Sequence, residues 1–162
     1  MFYAFLAWLL GFVKPGRYGT RLFNALARLT VTVALETVCF RRNGLDIEVF
    51  LVTRSMKDSA YPGGKHVPGS AMRCGEQESD VFRRLSDREY GARITKATFV
   101  CNFNHTEEAR GHFFTPIYLV ELEGEPTGGH WYPVNNMPAE TIEHHRDIVI
   151  RWALVAYRDS HK

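Results

Sequence analysis

The order of apolar patterning predicts an α+β domain built on a mixed β-sheet. Three observations carry that prediction. Two β-branched and aromatic runs stand near the front of the chain, at residues 31–40 and 47–54. A charged helical stretch follows and stops at Gly91. Two more strand-like runs and an amphipathic helix then close the chain. Strands, helix, strands and helix in that order make a mixed architecture rather than an all-helical or all-strand one. The 162 residues, 45% apolar and 23% charged, suffice for one domain with its own core. A formal net charge of +2 is too small to argue for a nucleic-acid partner.

The first element is apolar. Residues 2–13, FYAFLAWLLGFV, carry no charge and end at Lys14-Pro15-Gly16. They are too few to cross a bilayer as a helix, which needs about 20 residues. They also lack the basic start and small-residue cleavage site of a secretory signal. Thr20 is placed to cap a second helix, RLFNALARL, and residues 1–29 together read as a helical arm preceding a domain at 30–162. Lys14, Arg17, Arg21 and Arg28 are the only charged side chains before residue 36. A basic, apolar arm of this kind packs on the domain, pairs two subunits as a homodimer, or lies on a membrane surface.

Residues 31–40 (VTVALETVCF) and 47–54 (IEVFLVTR) form a strand pair about the turn Arg41-Arg42-Asn43-Gly44. Residues 55–69 hold three Gly and two Pro and read as a loop. Residues 76–90 read as a helix with Gly91 at its C-terminal cap. Residues 94–103 and 113–122 form a second strand pair around a polar turn, HTEEARG. After the loop 124–129 and a short extended piece, HWYP, Pro138 opens a last helix that turns Ile142, Ile148, Trp152 and Val155 toward the sheet. The cysteines Cys39, Cys74 and Cys101 are odd in number and match no metal-ligand spacing, as in a reducing, cytoplasmic setting.

The densest chemistry lies in residues 67–92, VPGSAMRCGEQESDVFRRLSDREYGA. Started at Ser70, this run resembles the box of the Nudix hydrolases: Gly, five residues, Glu, seven residues, then Arg-Glu-apolar-X-Glu-Glu-X-Gly-apolar. Glu76, Arg84, Glu89, Gly91 and Ala92 fall in register. Ser70 replaces the Gly, and Leu85 and Arg88 replace two helical acids. The resemblance implies a Nudix fold, a mixed sheet sandwiched between helices, and a diphosphate substrate held with Mg²⁺ or Mn²⁺. On that pattern Glu76, Glu89 and the Ser70 carbonyl are the metal ligands, and Arg84 and Glu89 belong to the catalytic helix. Each residue also has a structural reading. Glu76 complements a helix N-terminus, Arg84 pairs with Glu76 or Glu89, and Glu89 is a solvated side chain.

The segment Arg84-Leu85-Ser86-Asp87-Arg88-Glu89-Tyr90-Gly91 is similar to the altered box of GDP-mannose mannosyl hydrolases, where Leu likewise replaces the first acid and only the last Glu remains. That family displaces GDP at the sugar's anomeric carbon. The resemblance extends to Glu36 on the first strand as a nucleotide contact and to Arg54 as a diphosphate contact. The positions of the family's second Arg and of its general-base His hold Ala71 and Pro126. Glu125 and His130 on the same loop are the replacement bases, with His105 and His112 as further candidates. Three functions are therefore expected to compete. One is a Mg²⁺-dependent hydrolase of a nucleoside diphosphate sugar or related compound. Another is a binding module that has lost catalysis, in which Arg84 and Arg88 hold the diphosphate of a nucleotide or sugar nucleotide. The third is a protein that works through its N-terminal arm.

Overall fold

In a computed structural model, which describes residues 1–14 and 19–161, the elements run in the following order. Helices α1 (Phe2–Leu10) and α2 (Thr20–Ala27) precede strands β1 (Thr32–Val38), β2 (Phe40–Asn43), β3 (Asp46–Thr53), β4 (Lys65–His66) and β5 (Gly69–Ala71). Helix α3 (Glu78–Leu85) continues into a π-helical turn, Ser86–Tyr90. Strands β6 (Arg93–Glu108), β7 (Gly111–Glu123) and β8 (His130–Pro133) follow. A second π-helical turn, His145–Val149, leads into α4 (Ile150–Asp159). Pro15, Gly16 and Arg17, part of the break and basic flank expected after the apolar start, lie outside the described residues.

One sheet has the order β5-β1-β7-β6, with β1 parallel to β7 and antiparallel to β5. The other is built on β3, which pairs with β2, β4 and β8. The first sheet is therefore mixed, as expected, whereas every strand pair in the second is antiparallel. The run 31–40 is not one strand. It breaks at Cys39, where the chain passes from the first sheet to the second.

Side chains alternate across a strand, so the buried apolar run Val49–Val52 of β3 reflects cover on both of its faces. Phe50 and Val52 join Leu35, Val81, Leu85 and Tyr90 in a core beneath α3. Val49 and Leu51 join Val38, Ile117, Val149, Ile150 and Ala153 beneath α4. This is the sandwich of sheets between helices. Helix α2 docks Ala27 and Phe23 against Ala34 and Phe113, whereas α1 buries none of its side chains.

Several boundaries differ from expectation. Gly19, not Thr20, is the N-cap of α2, and no side chain caps it. Helix α3 starts at Glu78 with a capping box between Gln77 and Asp80, which leaves Glu76 in the preceding loop. The hairpin β6–β7 turns only at Ala109 and Arg110, so most of the expected polar turn is strand. Pro138 does not begin a helix; its carbonyl accepts bonds from the Thr141 amide and hydroxyl, in a turn before the helical segment. The π-helical turn then adds a residue and rotates the helix face. Val149, Ile150 and Ala153 point inward, while Trp152 and Val155 are 43% and 60% exposed.

Candidate active site

Glu36 on β1 sits directly across from Gly69 on β5. A Cβ at Gly69 would overlap the Glu36 carboxylate, so glycine is what lets this acid turn into the sheet edge. The Gly69 amide donates to Glu89 Oε2 at 3.2 Å. One glycine thus joins two carboxylates from distant parts of the chain. Burial pushes Glu36 up to about 8, with Arg54 opposing and Glu89 adding to the rise. Burial likewise pushes Glu89 up to about 7, against the Gly69 amide, Arg54 and Arg84. Glu36 Oε2 is buried without a hydrogen-bond partner, and so is His145 Nδ1, 3.9 Å from it.

Glu89 is held from its other side as well. The π-helical turn closes with a bond from the Gly91 amide to the Ser86 carbonyl at 2.9 Å, and Gly91 takes the left-handed conformation at φ 64°. The Thr127 and Gly128 amides bond the Tyr90 carbonyl at 2.8 and 3.1 Å. The Tyr90 hydroxyl reaches the Thr37 carbonyl at 3.2 Å. The backbone that carries Glu89 is therefore fixed to β1 and to the loop after β7.

Arg84 has a different role. Its guanidinium donates to Glu76 Oε2 at 2.6 Å, to the Ala71 carbonyl at 3.3 Å, and to the Ser70 hydroxyl. Glu76 also accepts from the Arg73 amide at 2.8 Å. Burial works against ionisation of Glu76, but the Arg73 amide and Arg84 outweigh it and hold the pKa low. This knot ties the loop between β5 and α3 to the helix.

Glu36, Arg54, Gly69 and Ser70 line a cavity of about 240 Å³ with His105, Glu108, Arg110, His144 and His145. Asp58 organises its basic side. Arg54 approaches it at 3.3 Å and Arg110 at 3.0 and 3.2 Å, while the Ala60 and Tyr61 amides donate to it at 2.9 Å. Burial opposes ionisation, yet these amides and the two arginines hold the Asp58 carboxyl far below its usual range. Arg54 Nε, also buried, has no partner. The histidine rings form a chain: His105 to His144 at 4.6 Å, His144 to His145 at 4.4 Å, His145 to His66 at 5.8 Å. Burial lowers all four, His144 to about 4 and His66 to about 3, so the cluster is neutral near pH 7.

The expected site residues thus separate into groups. Glu36, Arg54, Ser70 and Glu89 come together, with Arg84 and Glu76 behind them as a structural pair. Arg88 is exposed on a shallow groove with Arg73, Arg83 and Asp87, apart from the Glu36 cavity. Glu125 bonds Arg41 at 2.8 Å and the Trp131 indole at 2.6 Å, in another cleft beside Phe40. His130 is exposed on β8, and His112 bonds Asn104 at 2.7 Å; neither lines the Glu36 cavity. His105 does line it. Asp58, Arg110, His144 and His145 went unrecognised in the sequence. The adjacent pair His144-His145 was the one local signal, and by itself it reads as helix packing.

The donors suit a hard divalent cation in part. Glu36 and Glu89 offer carboxylate oxygens, one of them unpartnered, and Mg²⁺ is commonly held by one or two carboxylates plus water and substrate phosphate. Among the described residues no group of three His, Cys, Asp or Glu forms a protein-only metal cage.

Comparison with solved structures places the chain in the Nudix fold. A MutT NUDIX hydrolase from Burkholderia pseudomallei is 22% identical over 78% of this chain and 98% of its own, with a TM-score of 0.63. The NUDIX domain of Shewanella oneidensis NrtR, solved in complex with ADP ribose, is 19% identical over 87% of this chain and 94% of its own, at 0.62. A MutT/nudix family protein from Listeria innocua is 13% identical over 82% and 98%, also at 0.62. No protein-family model and no curated protein matches the sequence.

Proposed function

We propose that the Glu36 cavity binds a nucleoside diphosphate derivative together with Mg²⁺ and hydrolyses it. The observation that carries this reading is the meeting of Glu36 and Glu89 about Gly69, beside the unpartnered Arg54 Nε. Burial raises the pKa of both carboxylates, with the Glu89 charge adding to the rise at Glu36, and a bound cation would offset that cost. Glu36 and Glu89, with the Ser70 carbonyl, would hold the ion, which supplies positive charge against the diphosphate and polarises its oxygens. Glu76 is better read as the partner of Arg84 than as a ligand. Arg54 and Arg110 share a single carboxylate, Asp58, and so retain positive charge for phosphate oxygens. The base is assigned to His105, with His144 against it, in place of Glu125 or His130. A neutral imidazole on the cavity wall can take a proton from water.

The NUDIX domain of NrtR was solved with ADP ribose, a nucleoside diphosphate joined to a sugar. That class, and the nucleoside diphosphate sugars suggested by the altered box, are the compounds to test. Phosphorus NMR of such a panel with Mg²⁺ or chelator distinguishes the routes. Release of intact nucleoside diphosphate places attack at the sugar carbon; release of nucleoside monophosphate places it at phosphorus. Product formation that survives chelator contradicts the proposal.

A second reading is binding without turnover. It is favoured by the box helix itself, where Leu85 is buried in the core and Arg88 faces solvent, so Glu89 is the one pattern acid that the helix retains. Ligand-induced shifts without product, indifferent to chelator, would select it.

A further inference from the structure

Helix α1 exposes a continuous run of large apolar side chains. None of its nine side chains is buried. Phe2, Phe5 and Trp8 are 69%, 57% and 60% exposed, and Phe12 just beyond is 70%. The rings of Phe5, Trp8 and Phe12 pack on one another at 6.0 and 4.9 Å. Helix α2 shows the contrast: it is amphipathic and seats Phe23 and Ala27 on the domain.

The distribution of α1 side chains decides what can cover it. At 100° per residue, Phe2 and Leu6 lie on one side, Tyr3 and Leu10 on the next, and Trp8 and Phe5 opposite, with alanines between. Pairing with a second helix covers one stripe and leaves the remaining apolar sides in water. Lipid covers all of them. Nine residues at about 1.5 Å each are far shorter than the roughly 30 Å hydrocarbon core, so the helix reaches one leaflet only. No helix among the described residues is long and apolar enough to cross. The flank supplies the matching charge. Lys14, Arg17, Arg21 and Arg28 follow or adjoin the helix, and the first acid in the sequence is Glu36. Lys14, Arg21 and Arg28 are exposed. Basic residues beside an inserted apolar segment are drawn to anionic headgroups.

We propose that residues 2–12 dock the protein on an anionic lipid bilayer, with Phe5, Trp8 and Phe12 in the acyl region and the basic flank at the headgroups. The proposal stands apart from the reading of the Glu36 cavity. Its test is flotation of the full chain with vesicles of phosphatidylcholine alone or with about a third phosphatidylserine; the expected result is association roughly tenfold stronger with the anionic vesicles, weakening as salt is added. A Phe5→Glu/Trp8→Glu double variant, altered only at exposed positions, should keep its melting temperature and lose flotation. Brominated acyl chains should quench a part of the tryptophan fluorescence that is missing in Trp8→Phe. Absence of flotation at low salt, equal binding to neutral vesicles, or quenching unchanged in Trp8→Phe would each overturn the proposal. So would a wild-type dimer that the double variant dissolves while no vesicle is bound, since the partner would then be a second copy.

Discussion

Leu85 occupies a position where the Nudix pattern carries an acid, and its surroundings show what the replacement does. It is 1% exposed, within the core formed by Val81, Phe50 and Tyr90. Restoring an acid there would bury an unpaired charge rather than create a metal ligand. Leu85→Glu should therefore lower stability by more than about 3 kcal/mol and gain no divalent-cation affinity. Leu85→Ala should cost about 2–5 kcal/mol. Urea unfolding of both variants checks the two magnitudes, and a cation-dependent rise in stability of Leu85→Glu would contradict them. Single residues were unevenly legible in the sequence. Arg84 was expected to pair with Glu76 or Glu89, and it pairs with Glu76 at 2.6 Å. Arg88 was expected to hold the diphosphate beside Arg84, yet it is exposed and apart from the Glu36 cavity, because one residue of helical phase separates an inward from an outward side chain.

The same issue of phase governs the elements. Two helices contain π-helical turns, Ser86–Tyr90 and His145–Val149, and each carries residues of the cavity or its carboxylate pair. A regular 3.6-residue period cannot reveal the extra residue, which is why Trp152 and Val155 were expected inward. The glycine stop at Gly91 was legible because it needs a positive φ. Gly69, which opens the three-residue strand β5, was read as the end of a loop, yet the pairing of β5 with β1 sets it against Glu36. Gly69→Ala tests that element. Its methyl would force the Glu36 carboxylate aside or open the β1–β5 pair. Loss of cation-dependent ligand binding, with a stability cost of about 1–3 kcal/mol, is the expected outcome. Unchanged binding would show that the carboxylate position is not critical.

At the scale of the whole molecule, opposing titrations shape stability. His66, His144 and His145 bind protons less readily folded than unfolded, so stability falls as pH drops below about 6.5. Glu36 and Glu89 bind protons more readily folded than unfolded, so they lower stability as pH rises from the usual carboxylate range to about 8. Above pH 6.5 the histidine contribution is flat and the carboxylates remain. The melting temperature should peak near pH 6.5 and decline toward pH 8, by on the order of 1 kcal/mol in stability. Glu36→Gln should flatten that alkaline decline, and a melting temperature that rises steadily to pH 8 would contradict the assignment. The sequence order made the α+β architecture readable, since each element is local. The cavity was less readable, because β1, β5, the β6–β7 hairpin and the segment before α4 converge only in the folded chain. The central claim is that Glu36 and Glu89 act together on a diphosphate. It is tested most directly by phosphorus NMR of ADP ribose and nucleoside diphosphate sugars incubated with Mg²⁺ and wild-type, Glu36→Gln or Glu89→Gln protein. Product from the wild type and a loss of at least roughly 100-fold in both variants is the predicted result; equal rates in all three proteins would contradict it.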